Sequence, residues 1–110
     1  IQDDKEWLEP YFAPDYDVVC YADAHRQGMR LVGTGKQLIN CGSVGNGLGV
    51  PMAQYAILTG EEGEEKAPFD VTLVTVPYDN ARAAEHARAA DGLHNASAYV
   101  NEVLTGVYSR

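Results

Sequence analysis

The chain has 110 residues, 16 of them acidic against 8 basic, and a formal net charge of −8. That length allows one domain with a modest core, and that charge argues against wrapping nucleic acid, which needs a basic face to neutralise phosphates. With 45% hydrophobic and 22% charged residues the composition is globular rather than disordered. No apolar run approaches the roughly 18 residues of a membrane span, and no basic-then-apolar signal segment opens the chain.

In chain order, Asp3 or Asp4 can cap a short helix reaching about Tyr11, with Trp7, Leu8 and Tyr11 inward. Residues 16–21 are short, apolar and β-branched, and read as a buried strand. Residues 29–32 and 37–40 flank Gly33-Thr34-Gly35-Lys36 and predict a hairpin, followed by a glycine-rich loop over 41–51. Residues 52–58 and 69–76 predict two more strands, joined by an acidic, solvated loop over 60–68. Asp79 or Asn80 caps an alanine-rich helix ending near Ala90, with Gly92 as its stop. A second helix starts near Asn95 and ends at Gly106; Ala96, Tyr99, Val100, Val103 and Leu104 predict its inward face. The order is therefore helix, about five strands, then two helices.

Cys20 and Cys41 are too few for a disulfide framework and read as two buried thiols in a reducing cytoplasm. The sequon Asn95-Ala96-Ser97 argues only weakly for secretion. Charge is uneven along the chain. Residues 18–60 carry Asp23 alone against Arg26, Arg30 and Lys36, while acids crowd 1–17 and 61–70. Seven glycines lie between Gly28 and Gly49; glycine lets backbone amides turn to a ligand, and local positive charge suits an anion. The same glycines also serve plain hairpin turns.

Several enzyme motifs fail. Gly33/Gly35 and Gly45/Gly47 are followed by Leu38 and Val50 where a dinucleotide loop needs its third glycine. Arg30 stands where a phosphate loop needs its first glycine before Gly35-Lys36, and Cys41 where a nucleophile elbow needs glycine before Ser43. What remains is Asp23-Ala24-His25 at the end of the first strand. In extended backbone the two side chains, two residues apart, leave the same side. An oxygen and a nitrogen donor so placed suit a divalent metal. They suit equally a carboxylate that orients an imidazole for proton transfer, or a turn-capping aspartate beside an incidental histidine.

The pieces Val18-Val19-Cys20, His25-Arg26-Gln27, Asn40-Cys41-Gly42-Ser43-Val44-Gly45 and Tyr55-Ala56-Ile57-Leu58 resemble, in order, the C-terminal part of the calcineurin-like metallophosphoesterase family. There a buried strand ends in Gly-His-x-His, and a hairpin, an Asn-Pro-Gly-Ser-x-Gly loop and a further strand follow. The tail from Val76-Pro77-Tyr78-Asp79 resembles the helical extension of larger bacterial members. The resemblance implies an α/β (α+β) fold, the C-terminal half of a four-layer α/β/β/α sandwich, with mostly antiparallel or mixed strands. Residues 1–76 would be the second half of the β-sandwich and 77–110 the helical extension.

It further implies a hydrolase of phosphomono- or phosphodiesters using divalent metal ions (Mn, Fe, Zn, Ni or Mg), two in the complete domain. His25 matches the second histidine of the motif and Asp23 stands at the first, so both are candidate ligands. Arg26, Asn40, Gly42 and Ser43 would lie beside a small phosphoester substrate. The family's proline is Cys41 here, and the glycine of its Gly-His-x-His is Ala22. Its Asp-x-His, Gly-Asp and Gly-Asn-His motifs lie upstream in the family and are not found here. The chain starts at Ile1, and the expectation is a C-terminal half whose partner is the missing N-terminal half of the domain, inactive alone; the catalytic acid is left open. The alternative is a degenerate, non-catalytic relative that binds a phosphorylated ligand or a protein. Oligomeric state is left open; His86 and His94 are expected at the surface.

Overall fold

Short, largely apolar runs separated by turns form strands where the sequence expects them. The computed structural model describes residues 10, 12, 16–33, 35–63 and 67–110. The helix expected before Tyr11 lies, Pro10 apart, outside the described residues. Strands β1 (Val18–Tyr21), β2 (Gly28–Val32) and β3 (Lys36–Asn40) make one sheet in the order β1-β3-β2. β1 runs parallel to β3, with Tyr21 opposite Asn40, and β2 runs antiparallel to it, with Gly28 opposite the same Asn40. Because β3 lies between its two neighbours, the connection 22–27 from β1 to β2 has to cross the carboxyl end of β3. That crossing brings the strand-end residues against the glycine-rich loop.

Strands β4 (Ala53–Gly60) and β5 (Phe69–Val76) form a separate antiparallel hairpin, paired from Ala53 with Val76 to Gly60 with Phe69. Helices α1 (Asn80–Ala89) and α2 (Ala96–Thr105) follow. The fold is α+β, with five strands and then two helices among the described residues. No helix among them is long and apolar enough to cross a membrane.

Asp79 caps α1, its Oδ1 accepting from the Arg82 N–H at 2.9 Å. Gly106 closes α2 at φ 70°, donating its N–H to the Glu102 carbonyl at 2.7 Å, the left-handed cap that only glycine adopts without strain. The two helices pack through Ala84 and Ala87 against Val100 and Val103; small side chains on α1 let the axes approach. Phe12 and Val32 form a second cluster with Val19 and Leu38.

The hairpin has neither cluster. Tyr55, Ile57 and Val76 are exposed on one face, Leu58, Phe69 and Leu73 on the other. The radius of gyration, 17.2 Å, exceeds the roughly 13 Å of a compact chain this long. The apolar surface is thus divided rather than gathered into one core.

Three expectations are corrected. Residues 16–21 are not a buried strand: Val18 and Val19 are half-buried, and Tyr16, Cys20 and Tyr21 exposed, because β1 is an edge strand of a three-stranded sheet. The thiols are therefore not two buried ones; Cys20 is exposed and Cys41 partly covered, both unbridged. On α2 Leu104 is 42% exposed whereas Glu102 is 1% exposed. At about 100° per residue these two flank Val103 on opposite sides, and Asn46 of the glycine-rich loop meets the Glu102 flank.

That asymmetry is testable. Val103→Ala should lower unfolding stability by about 2 kcal/mol through lost burial and a residual cavity, whereas Leu104→Ala should cost under about 0.5 kcal/mol. Urea denaturation at pH 7 distinguishes them.

Candidate functional site

The crossing 22–27 begins as soon as β1 ends. Ala24 donates its N–H to the Ala22 carbonyl at 3.0 Å, a tight turn centred on Asp23, which has φ 76°; His25, beyond the turn, has φ 54°. For non-glycine residues this costs on the order of 1–2 kcal/mol each. The extended backbone assumed for these two residues is therefore not present. Asp23 and Arg26 are exposed and His25 is half-buried.

The glycine-rich loop is fastened to this crossing by backbone. Cys41 donates to the Tyr21 carbonyl at 3.2 Å and Leu48 to the His25 carbonyl at 2.8 Å. Asn40, 2% exposed, accepts the Gly42 N–H on Oδ1 at 2.9 Å. Its Nδ2 is buried without a hydrogen-bond partner among the described residues. Ser43 is occupied by the loop's own shape: its Oγ accepts the Asn46 N–H at 3.1 Å and its carbonyl the Gln54 N–H at 3.0 Å.

Two glutamines hold the crossing against the hairpin. The Gln27 side-chain amide donates to the Tyr55 carbonyl of β4 at 2.7 Å and the Val74 carbonyl of β5 at 3.1 Å. Gln54, 3% exposed, accepts the Gln27 N–H at 3.3 Å and donates to the Val50 carbonyl at 3.2 Å. Gly42 fits between them. It has φ 78°, and a Cβ there would collide with the Gln54 side chain and stand 3.1 Å from Gln27 Cβ.

On the other side, Glu102 anchors the loop to α2. It takes a hydrogen bond from Asn46 Nδ2 at 2.7 Å, from the Ser109 N–H at 3.0 Å and from Arg110 Nε at 3.1 Å, and pairs with Arg110 Nη2 at 3.0 Å. Burial alone would push this carboxyl up; the Ser109, Asn46 and Arg110 donors outweigh it and hold the group below its ordinary value. Asn80 of α1 completes the strapping, donating to the Pro51 carbonyl at 2.9 Å and the Val103 carbonyl at 2.6 Å.

Of the six sequence candidates, the fold gathers Asp23, His25, Gly42 and Ser43 in the two loops at the carboxyl ends of β1 and β3, with Asn40 the last residue of β3 itself; Arg26 lies on the crossing with its side chain exposed. The basic character of the central stretch does not concentrate there. Lys36 opens β3, roughly 13 Å along the strand from Asn40, donating to the Tyr16 carbonyl and sitting over the Phe12 ring. Sequence reasoning missed Gln54, Asn46 and Glu102, and gave Gln27 no role of its own. The signal was a polar residue inside an otherwise apolar strand or beside a helix stripe, as at Gln54 and Glu102. Desolvation, and secondarily the neighbouring Cys41 thiol, push the Cys20 thiol above its usual range.

As a metal centre the set is partial. Asp23 and His25 offer one oxygen and one nitrogen donor, and among the described residues no group of three or more His, Cys, Asp or Glu could hold an ion. A closed site takes three or four protein ligands. No family model matches the chain, and no curated protein matches it.

Two outcomes test this construction. Gly42→Ala should destabilise the chain by roughly 3 kcal/mol, since strain at positive φ adds to displacement of Gln54; thermal unfolding measures it. Glu102 releases its proton more readily folded than unfolded, so its stabilisation is complete above the ordinary carboxylate value of 4.5 and disappears as pH falls through the lower folded value. Glu102→Gln should cost about 3 kcal/mol at pH 7. It should also flatten the fall in urea midpoint between about pH 5 and pH 3 relative to the parent chain.

Proposed function

We propose that this chain is the C-terminal portion of a metal-dependent phosphoesterase domain, in which His25 and Asp23 are ligands and the 40–43 loop walls the substrate site. The observation that carries the reading is at the carboxyl end of β3. Two non-glycine residues with ligating side chains are held at positive φ on the loop that crosses it, where the amide donor of the buried Asn40 has no partner among the described residues. Backbone strain persists where the surroundings over-determine it, and such places cluster at binding sites. An orphaned buried N–H asks for an acceptor; a phosphoester oxygen, or an oxygen of a covering segment, supplies one.

A divalent ion held there would polarise the phosphoester and activate the attacking water. The chain's own residues do the positioning. Gln27 and Gln54 fix the crossing against β4 and β5, Gly42 lets the loop approach closely, and Arg26 stands free in solvent to meet an anionic substrate. The apolar residues exposed on both hairpin faces fit a layer that is covered on both sides in a larger sandwich, which is where an N-terminal half would pack. The second reading, a non-catalytic relative that binds a phosphorylated ligand or a protein, is favoured by the presence of only two donors among the described residues.

Hydrolysis of a panel of phosphomono- and phosphodiesters with Mn²⁺, Ni²⁺, Zn²⁺ or Mg²⁺ separates the two. The 110-residue chain alone should be inactive. The longer polypeptide that the reading requires should turn over, with His25→Ala reducing the rate about 100-fold or more. Inactivity of the longer polypeptide across the panel would favour the binding protein. Asp23→His should alter Mn²⁺ affinity; an unchanged affinity removes Asp23 from the ligand set.

A further inference from the structure

The two helices leave a groove at the end of their shared interface, where the chain turns from α1 into α2. Its volume is about 610 Å³, within the usual range for a small-molecule site. His86 of α1, His94 and Asn95 of the turn, and Arg110 supply its polar lining; Ala87 and Leu93 are among its apolar lining. In a chain with 16 acidic and 8 basic residues, none of the residues lining this groove is acidic. Two of the three histidines converge there with an arginine.

The polar groups are also available. His86 and His94 are exposed, as the sequence predicts. Asn95, at φ 57°, makes no side-chain capping bond to α2. Arg110 is turned by Glu102, which binds its Nε and Nη2; that contact orients the guanidinium and leaves the N–H groups of Nη1 for a ligand. Two imidazoles make an incomplete metal site, so a cation is not the natural occupant. Arginine, imidazole and carboxamide donors together recognise oxyanions. A lone inorganic anion would fill only a fraction of the volume, and the apolar side chains of Ala87 and Leu93 in the lining suit an anion that carries an apolar body.

We propose that the groove between α1 and α2 binds a small organic anion, its carboxylate or phosphate group held by His86, His94 and Arg110 and its apolar body lying on Ala87 and Leu93. The site shares no residue with the strand-end loops and stands or falls independently of the phosphoesterase reading.

Titration of the isotope-labelled chain by amide NMR tests it, with phenyl phosphate and benzoate as the two anions, inorganic phosphate as the bodiless anion, and benzyl alcohol as the neutral body. The expected result is saturable shifts at His94 and Asn95 with at least one aromatic anion, at a Kd of about 1 mM or tighter. Binding should weaken at least tenfold in His86→Ala/His94→Ala, two solvent-facing changes that leave the helix interface intact; the unchanged spectrum of α2 verifies the fold. No saturation with either anion, equal affinity for benzyl alcohol, or undiminished binding by the double variant would overturn the proposal. Inorganic phosphate binding as tightly as phenyl phosphate would overturn the assignment of an organic ligand. The preferred probe of the two anions decides between carboxylate and phosphate.

Discussion

A carboxylate taken out of water must be met by donors where it sits, and Glu102 is the group that imposes this condition on the fold. With 1% of its surface exposed, it would lose several kcal/mol of hydration without partners. It draws in Asn46 from the glycine-rich loop and Ser109 and Arg110 from the segment after α2. Of those bonds, the one from Asn46 ties the loop to α2. The Gly49 N–H then reaches the Gly106 carbonyl at 2.8 Å, and Tyr78 and Tyr99 both direct their hydroxyls at the Gly45 carbonyl.

The opposite side of the loop obeys the same logic with neutral groups. Gln54 is buried, so its amide must be satisfied from within, and it is satisfied by Gln27 and by the loop carbonyls of Leu48 and Val50. Polar contacts thus join strands, loop and helices, which the apolar clusters do not. Phe12 and Val32 hold one end, and Ala84, Ala87, Val100 and Val103 the other. Between them lie the buried Ile39 and Leu48, and side-chain amides, one carboxylate and backbone bonds link the elements. This arrangement gives the 22–27 crossing a defined conformation although it lies outside the strands, and it can sustain two left-handed residues at Asp23 and His25.

The division of apolar surface has a consequence for assembly. A two-stranded hairpin is marginal alone in water, and β4 and β5 carry apolar side chains on both faces. Their inner end is pinned by Gln27 and Gln54, while Leu58, Phe69 and Leu73 stand open farther along. A layer laid on these faces would add the hydrophobic contacts that the pins do not supply.

Strand and helix positions were legible because they depend on local chemistry: short apolar runs bounded by turn residues for the strands, Asp79 and Gly106 for the helix ends, alanine spacing for α1. The sequence also placed Asp23, His25, Asn40, Gly42 and Ser43 near strand ends. It could not reveal that β3 inserts between β1 and β2, since pairing order is a long-range property, and so it left the crossing unseen. Nor could it say which flank of Val103 would be covered: Leu104 is the more hydrophobic residue, yet Glu102 goes inside because Asn46 and Arg110 wait there. The sequence by itself determined the elements and the chemistry available to them. Only the tertiary structure decided which polar side chains are buried together, because a buried charge takes its place from partners that lie up to 56 residues away in the chain.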